Sequence, residues 1–180
     1  MNEKAFLKMV QSHVARVAVG PSAVRGRGNA GTVAAARGFL RELDLAPFAT
    51  EKRERFQDQL DSACRDLLAE LPRSARHWGI ARKVINLFLR DCLYTTYFET
   101  AYDLSRGEPL LELPLDSITG NKLKELAGVA LPRWPGVKYL DSTLSERFQQ
   151  RAAIEADKEK VHRVHLDALW WSVGRDNDAA

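Results

Sequence analysis

Residues 79–104 limit most strongly what this chain can fold into. They read Gly-Ile-Ala-Arg-Lys-Val-Ile-Asn-Leu-Phe-Leu-Arg-Asp-Cys-Leu and then Tyr-Thr-Thr-Tyr-Phe-Glu-Thr-Ala-Tyr-Asp-Leu. At helical spacing Ile80, Val84, Ile85, Leu87, Phe88, Leu89, Cys92, Leu93, Phe98 and Ala101 leave almost no face polar. A helix apolar on most sides is a central, buried helix, so the remaining elements must pack around it. The polar exceptions Lys83, Asn86 and Arg90 stand at i, i+3 and i+7 and are expected to project together, with Tyr94 and Tyr97 extending the strip. A lysine near the start of such a helix is costly unless it is paired or has a chemical task.

The surrounding elements read as helices too, since alternating β-branched runs bounded by turns are missing. Residues 3–18 carry one apolar stripe, Phe6, Leu7, Val10, Val14 and Val17. Thr32 is placed to N-cap a helix to about Leu43, and a helix from Glu51 to Glu70 keeps the 3.6 period until Leu71-Pro72 stops it. The central helix spans Gly79 to Leu104. Asp116-Ser117 opens a short helix to Leu126; Ser142 or Thr143 caps one to about Asp157; the last runs from Lys158 to Val173, with a frayed polar tail at 174–180. The expectation is one all-α domain over 1–180, of about seven helices in two lobes with a cleft between them.

The net charge of +3 is unevenly spread. Residues 1–40 and 71–90 are basic, whereas 91–120 are acidic. Such blocks fit either a basic face for a polyanion or the solvation of helix faces. Arg25 and Arg27 alternate with Gly26 and Gly28, which suits a close approach to phosphate and equally a surface loop. No run of 18 apolar residues exists to span a membrane, and the N-terminus has no apolar core of a signal peptide. Cys64 and Cys92, both in apolar surroundings, read as reduced thiols of a cytoplasmic protein. They are too few for a cubane cluster or a four-cysteine zinc site. His162, His165 and Asp167 lack a suitably spaced partner, so no metal site is expected.

Asp116 stands 33 positions after Lys83. Taken alone, the two fit a lysine reaching solvent from a helix start and an aspartate that only caps. The surrounding pattern favours a catalytic pair. Leu71-Pro72, a Gly-containing basic turn, Ala81-Arg82-Lys83-x-x-Asn86-x-x-Leu89 and Pro114-Leu115-Asp116-Ser117 together resemble the active-site segment of helix-hairpin-helix (HhH-GPD) DNA glycosylases. The likeness covers roughly residues 56–126 and is greatest to the archaeal 8-oxoguanine glycosylase branch. The turn Arg73-Ser-Ala-Arg-His-Trp-Gly-Ile departs from the Gly-Val-Gly of a standard hairpin, and no four-cysteine cluster follows.

What the resemblance implies is a bifunctional enzyme, a DNA N-glycosylase with abasic-site lyase activity. Lys83 would be the Schiff-base nucleophile and Asp116 the catalytic aspartate. Arg25, Arg27, Arg73, Arg76, His77 and Lys122 would contact DNA, and Asn86, Arg90, Trp78 and Tyr94 would line the base pocket. The partner would be double-stranded DNA bearing a damaged or modified base, bound by a cytoplasmic monomer without cofactor. The excised base would be an oxidised purine in repair, or a modified base of foreign DNA in antiviral defence. The competing readings are a non-catalytic helical DNA-binding module and a helical protein–protein adaptor.

Overall fold

The computed structural model describes residues 2–20, 23 and 30–176, and among these it is all helical, with no strand. Eight α-helices appear in the order α1 Glu3–Ala18, α2 Ala30–Glu42, α3 Arg53–Glu70, α4 Trp78–Leu93, α5 Thr96–Tyr102, α6 Ser117–Ala127, α7 Ser142–Glu159 and α8 Leu166–Asp176. Short 3-10 turns join several of them, the longest at Leu104–Leu110.

The helix expected over Gly79–Leu104 is two helices. After Leu93 the Thr95 hydroxyl donates to the Asp91 carbonyl at 2.8 Å, so the side chain competes with the helical ladder. α5 then ends on Asp103, which has a left-handed φ of 58°. Thr32 is not a cap but a buried residue inside α2. α3 begins at Arg53 rather than Glu51, and α7 is capped by Asp141, whose side chain accepts from the Leu144 amide at 2.8 Å. The last expected helix starts late because Lys160 adopts a left-handed φ of 56° and a 3-10 turn intervenes at Arg163–His165.

Two apolar clusters make the core. The first gathers Phe48, Phe56, Phe88 and Phe98 with the inner faces of α1 to α5. The second gathers Leu113, Leu123, Trp134, Phe148 and Leu166. Trp78 and Val137 pack against both. α4 is the central helix, packed on α1, α2 and α3.

An extended segment, 111–115, passes from the first cluster to the second and delivers Asp116. Its backbone is held by side chains, because no sheet is there to pair it. Arg163 donates to the carbonyls of Leu110 and Leu111 at 3.0 and 2.9 Å. Buried Gln149 accepts from the Leu113 amide at 3.0 Å and donates to its carbonyl at 2.8 Å. An unpaired buried backbone group costs about 1–3 kcal/mol, so these bonds fix the path of the segment.

Candidate functional site

Asp116 is the N-cap of α6. Its Oδ1 accepts from the amides of Ile118 and Thr119 at 2.8 and 3.1 Å. Thr119 answers by accepting from the Asp116 amide at 2.9 Å and donating to the Pro114 carbonyl at 3.0 Å, which completes a capping box. One carboxylate oxygen is thereby fixed to the helix end. The other, Oδ2, faces Lys83 Nζ at 3.4 Å. Lys83 rises from α4 with 10% of its side chain exposed, and Asp116 retains 22%. The pair therefore lies where the first core, through α4, meets the second, through α6.

Two cavities open on the pair. The larger, about 500 Å³, is walled by Ile80, Ile118 and the turn from Trp134 to Tyr139. The smaller, about 390 Å³, is lined by Leu87, Arg90, Tyr94, Asp167 and Trp171. Both fall in the range usual for small-ligand sites. Lys83 and Asp116 line both of them.

The smaller cavity is strongly polar at one end. Arg90 donates to Asp91 Oδ1 through Nε and Nη2 at 2.9 and 2.8 Å, and through Nη1 to Asp167. Burial alone would lower the Arg90 pKa, but Asp91 and Asp167 outweigh it and hold the guanidinium charged. Asp167 responds in the opposite sense. Burial, with Asp116 and Asp91 adding to it, pushes its carboxyl up to about 6 against the pull of Arg90 and Lys83. Tyr94 Oη and His165 Nδ1 share a hydrogen bond at 2.8 Å, while His165 Nε2 faces Glu108 at 2.8 Å.

Among the expected pocket residues, Arg90 and Tyr94 line the smaller cavity, and Asn86 and Trp78 line neither cavity. Asn86 stands ~60° round the helix from Lys83. It turns the other way and donates to Glu112 Oε2 at 2.9 Å. Arg82 donates to both oxygens of the same carboxylate at 2.8 Å, and its guanidinium lies 5.4 Å from the Trp78 ring centre. The expected common strip of Lys83, Asn86 and Arg90 is thus split by Glu112.

Of the expected DNA contacts, Arg73, Arg76 and His77 stand together just before α4, and Lys122 stands on α6. Arg25 and Arg27 lie outside the described residues. Arg76 donates to the carbonyls of Ala69 and Leu71 at 2.8 and 2.7 Å, so it closes the end of α3. Lys122 pairs with Glu125 at 3.4 Å. Arg73 is exposed, and His77 is half-buried at the start of α4. The cysteines offer no rival nucleophile: both are buried and free, and burial pushes the Cys64 thiol up to about 11. Among the described residues no group of three or more His, Cys, Asp and Glu side chains is placed to hold a metal ion. Comparison with protein-family models, curated proteins and solved structures finds no match to this chain.

Sequence reasoning passed over Asp167 as a pocket residue, because its partner Arg90 is 77 positions away. It also overlooked the wall from Pro135 to Tyr139. The only signal there was the turn chemistry of Pro135-Gly136, which says nothing about what the turn faces.

Proposed function

We propose that this protein is a bifunctional DNA glycosylase and abasic-site lyase, with Lys83 as nucleophile and Asp116 as its carboxylate partner. The observation that carries the reading is a capped aspartate and a largely buried lysine, 3.4 Å apart, shared by two cavities. Residues 33 positions apart meet there, a separation longer than in the endonuclease III type and closer to that of the archaeal branch the chain resembles.

In this reading the neutral Lys83 amine attacks C1′ of the deoxyribose and the base leaves. The two amine protons pass to the departing base and to O4′ as the sugar ring opens to a Schiff base, and loss of a C2′ proton then expels the 3′ phosphate. Asp116, held at Oδ1 by two amides, keeps Oδ2 for the positive charge that develops on the sugar. A base taken out of the stack would enter the smaller cavity, where Arg90 and Asp167 offer donors and an acceptor and Trp171 an aromatic side. An oxidised purine fits that mixed edge; so does a modified base of foreign DNA. The protein would act as a cytoplasmic monomer on duplex DNA. Among the described residues no helix is long and apolar enough to cross a membrane.

Borohydride trapping on duplexes carrying oxidised purines, modified cytosines or an abasic site tests this reading. Wild type should yield a covalent adduct on at least the abasic duplex, and Lys83→Gln none. Salt-dependent duplex binding without any adduct would leave a non-catalytic DNA-binding module in its place.

A further inference from the structure

The wall of the larger cavity ends in an aromatic residue that the pair does not use. Tyr139 is 66% exposed at the end of the 3-10 turn Val137–Tyr139. The ammonium of Lys138 lies 5.4 Å from its ring centre. An exposed tyrosine on a loose loop would mean little, but this turn is held on both sides. Trp134 before it is buried edge-on against Phe148, with its ring pressed on α6 at Gly120. Leu140 after it is buried in the second core. The turn closes on itself through the Tyr139 amide, which donates to the Gly136 carbonyl at 3.0 Å. Its Val137 carbonyl lies so close to α4 that a Cβ on Gly79 would sit 2.2 Å from it. A rigid mount therefore presents one flat ring and one cation at the mouth of the cavity that contains Lys83 and Asp116.

We propose that Tyr139 is a stacking platform for a nucleobase outside the cavity, with Lys138 beside it on the adjoining phosphate. The assignment rests on the proposed action on DNA and adds the surface that grips the strand. A tyrosine has only two side-chain torsions, and here the backbone is already fixed, so little ordering remains when a base arrives. Every base has a π-face, so the contact holds the strand without reading sequence. The neighbouring cation matches what strand-binding grooves use, a charge that tracks the backbone between stacked bases.

The test uses the full chain and a duplex with a tetrahydrofuran abasic analogue, which no lyase can cleave, flanked by 2-aminopurine. Wild type and Tyr139→Phe should bind within about twofold of each other and quench the 2-aminopurine. Tyr139→Ala should bind about ten- to a hundredfold more weakly and leave the probe bright. Lys138→Gln should lower the salt dependence by about one phosphate contact. An alanine variant that binds and quenches like wild type overturns the proposal. So does a phenylalanine variant as weak as alanine, because the hydroxyl and not the ring would then be the contact. Borohydride trapping of wild type on an abasic duplex separates this outcome from the parent reading: an adduct with an indifferent Tyr139 sinks only the platform. A lost adduct with a sensitive Tyr139 sinks only the lyase. A wild type that binds neither duplex sinks both.

Discussion

Arg82 and Lys83 are neighbours on one helix, and each faces a carboxylate brought by the same extended segment, Glu112 for the first and Asp116 for the second. The first pair is closed. Arg82 and Glu112 keep 4% and 6% of their side chains exposed, bond twice, and recruit Asp61 and Asn86. The second pair is open. It has one contact at 3.4 Å, more exposure, and a cavity on either side. Two basic side chains with similar partners thus divide into one closed within the core and one that opens on two cavities. What separates them is how fully each is satisfied, and not which residue type carries the charge.

Exchanging one residue in each pair gives the largest contrast. Lys83→Gln should abolish the borohydride adduct entirely while costing about 1 kcal/mol of stability, since Asp116 keeps its two amides. Arg82→Met should do the reverse. It strands the buried Glu112 carboxylate, and breaking a buried pair costs about 3–5 kcal/mol. Urea melts should show that loss, and the fraction still folded should form adduct. If Lys83→Gln were the less stable protein, or Arg82→Met folded normally without adduct, the division of labour between the pairs would be wrong.

The two halves should also titrate in opposite directions. Burial would raise the Glu112 pKa, but hydrogen bonds and charge from Arg82 win and hold it below the usual carboxylate value. Its stabilising contribution is present at neutral pH and is lost only on strong acidification. Asp167 sits among Arg90, Lys83, Asp116 and Asp91 and is raised from 3.8 to about 6. The fold therefore favours its protonated form. That contribution is full below the unfolded value of about 4 and disappears as pH rises through about 6. At roughly 1.4 kcal/mol per unit the shift bounds the loss near 3 kcal/mol. Wild type should thus lose stability relative to Asp167→Asn between about pH 4 and pH 6. Parallel stability curves across that window would show that Asp167 carries no such burden.

Much of this arrangement was legible in the sequence, for local reasons. Asp116 before Ser117 announces a cap, Pro72 ends a helix, and the apolar faces of residues 80–93 require a buried α4. The all-helical class follows from such signals. The choices between neighbours were not legible. Spacing put Asn86 on the strip of Lys83, and only the path of residues 111–115 decides that Glu112 captures it. Glu112 is one of the charges of the acidic stretch 91–120, although it is 5% exposed in the fold. Thr95 carries a hydroxyl that breaks the ladder, a matter of about one hydrogen bond that no periodicity shows. Asp167 and Tyr139 belong to the site only because separate elements converge there.

Gly79 tests how the open pair is kept open. Gly79 is four residues before Lys83, so the two share a face of α4. A Cβ there would meet the Val137 carbonyl at 2.2 Å and Leu140 Cβ at 2.8 Å. Neither atom is the end of a flexible side chain, so the turn itself must retreat from α4. Such overpacking costs about 1–3 kcal/mol, and the better helix propensity of alanine returns up to about 1 of it. Gly79→Ala should therefore melt earlier than wild type, by a net loss of up to about 3 kcal/mol. The retreat moves the wall of the larger cavity, however, and leaves the Arg82–Glu112 pair untouched. Adduct formation per folded molecule should slow, whereas Arg82→Met should show the opposite imbalance. A Gly79→Ala protein that traps DNA at the wild-type rate would mean that the turn does not shape the site, and that the cavity beside Asp116 owes its function to the smaller chamber alone.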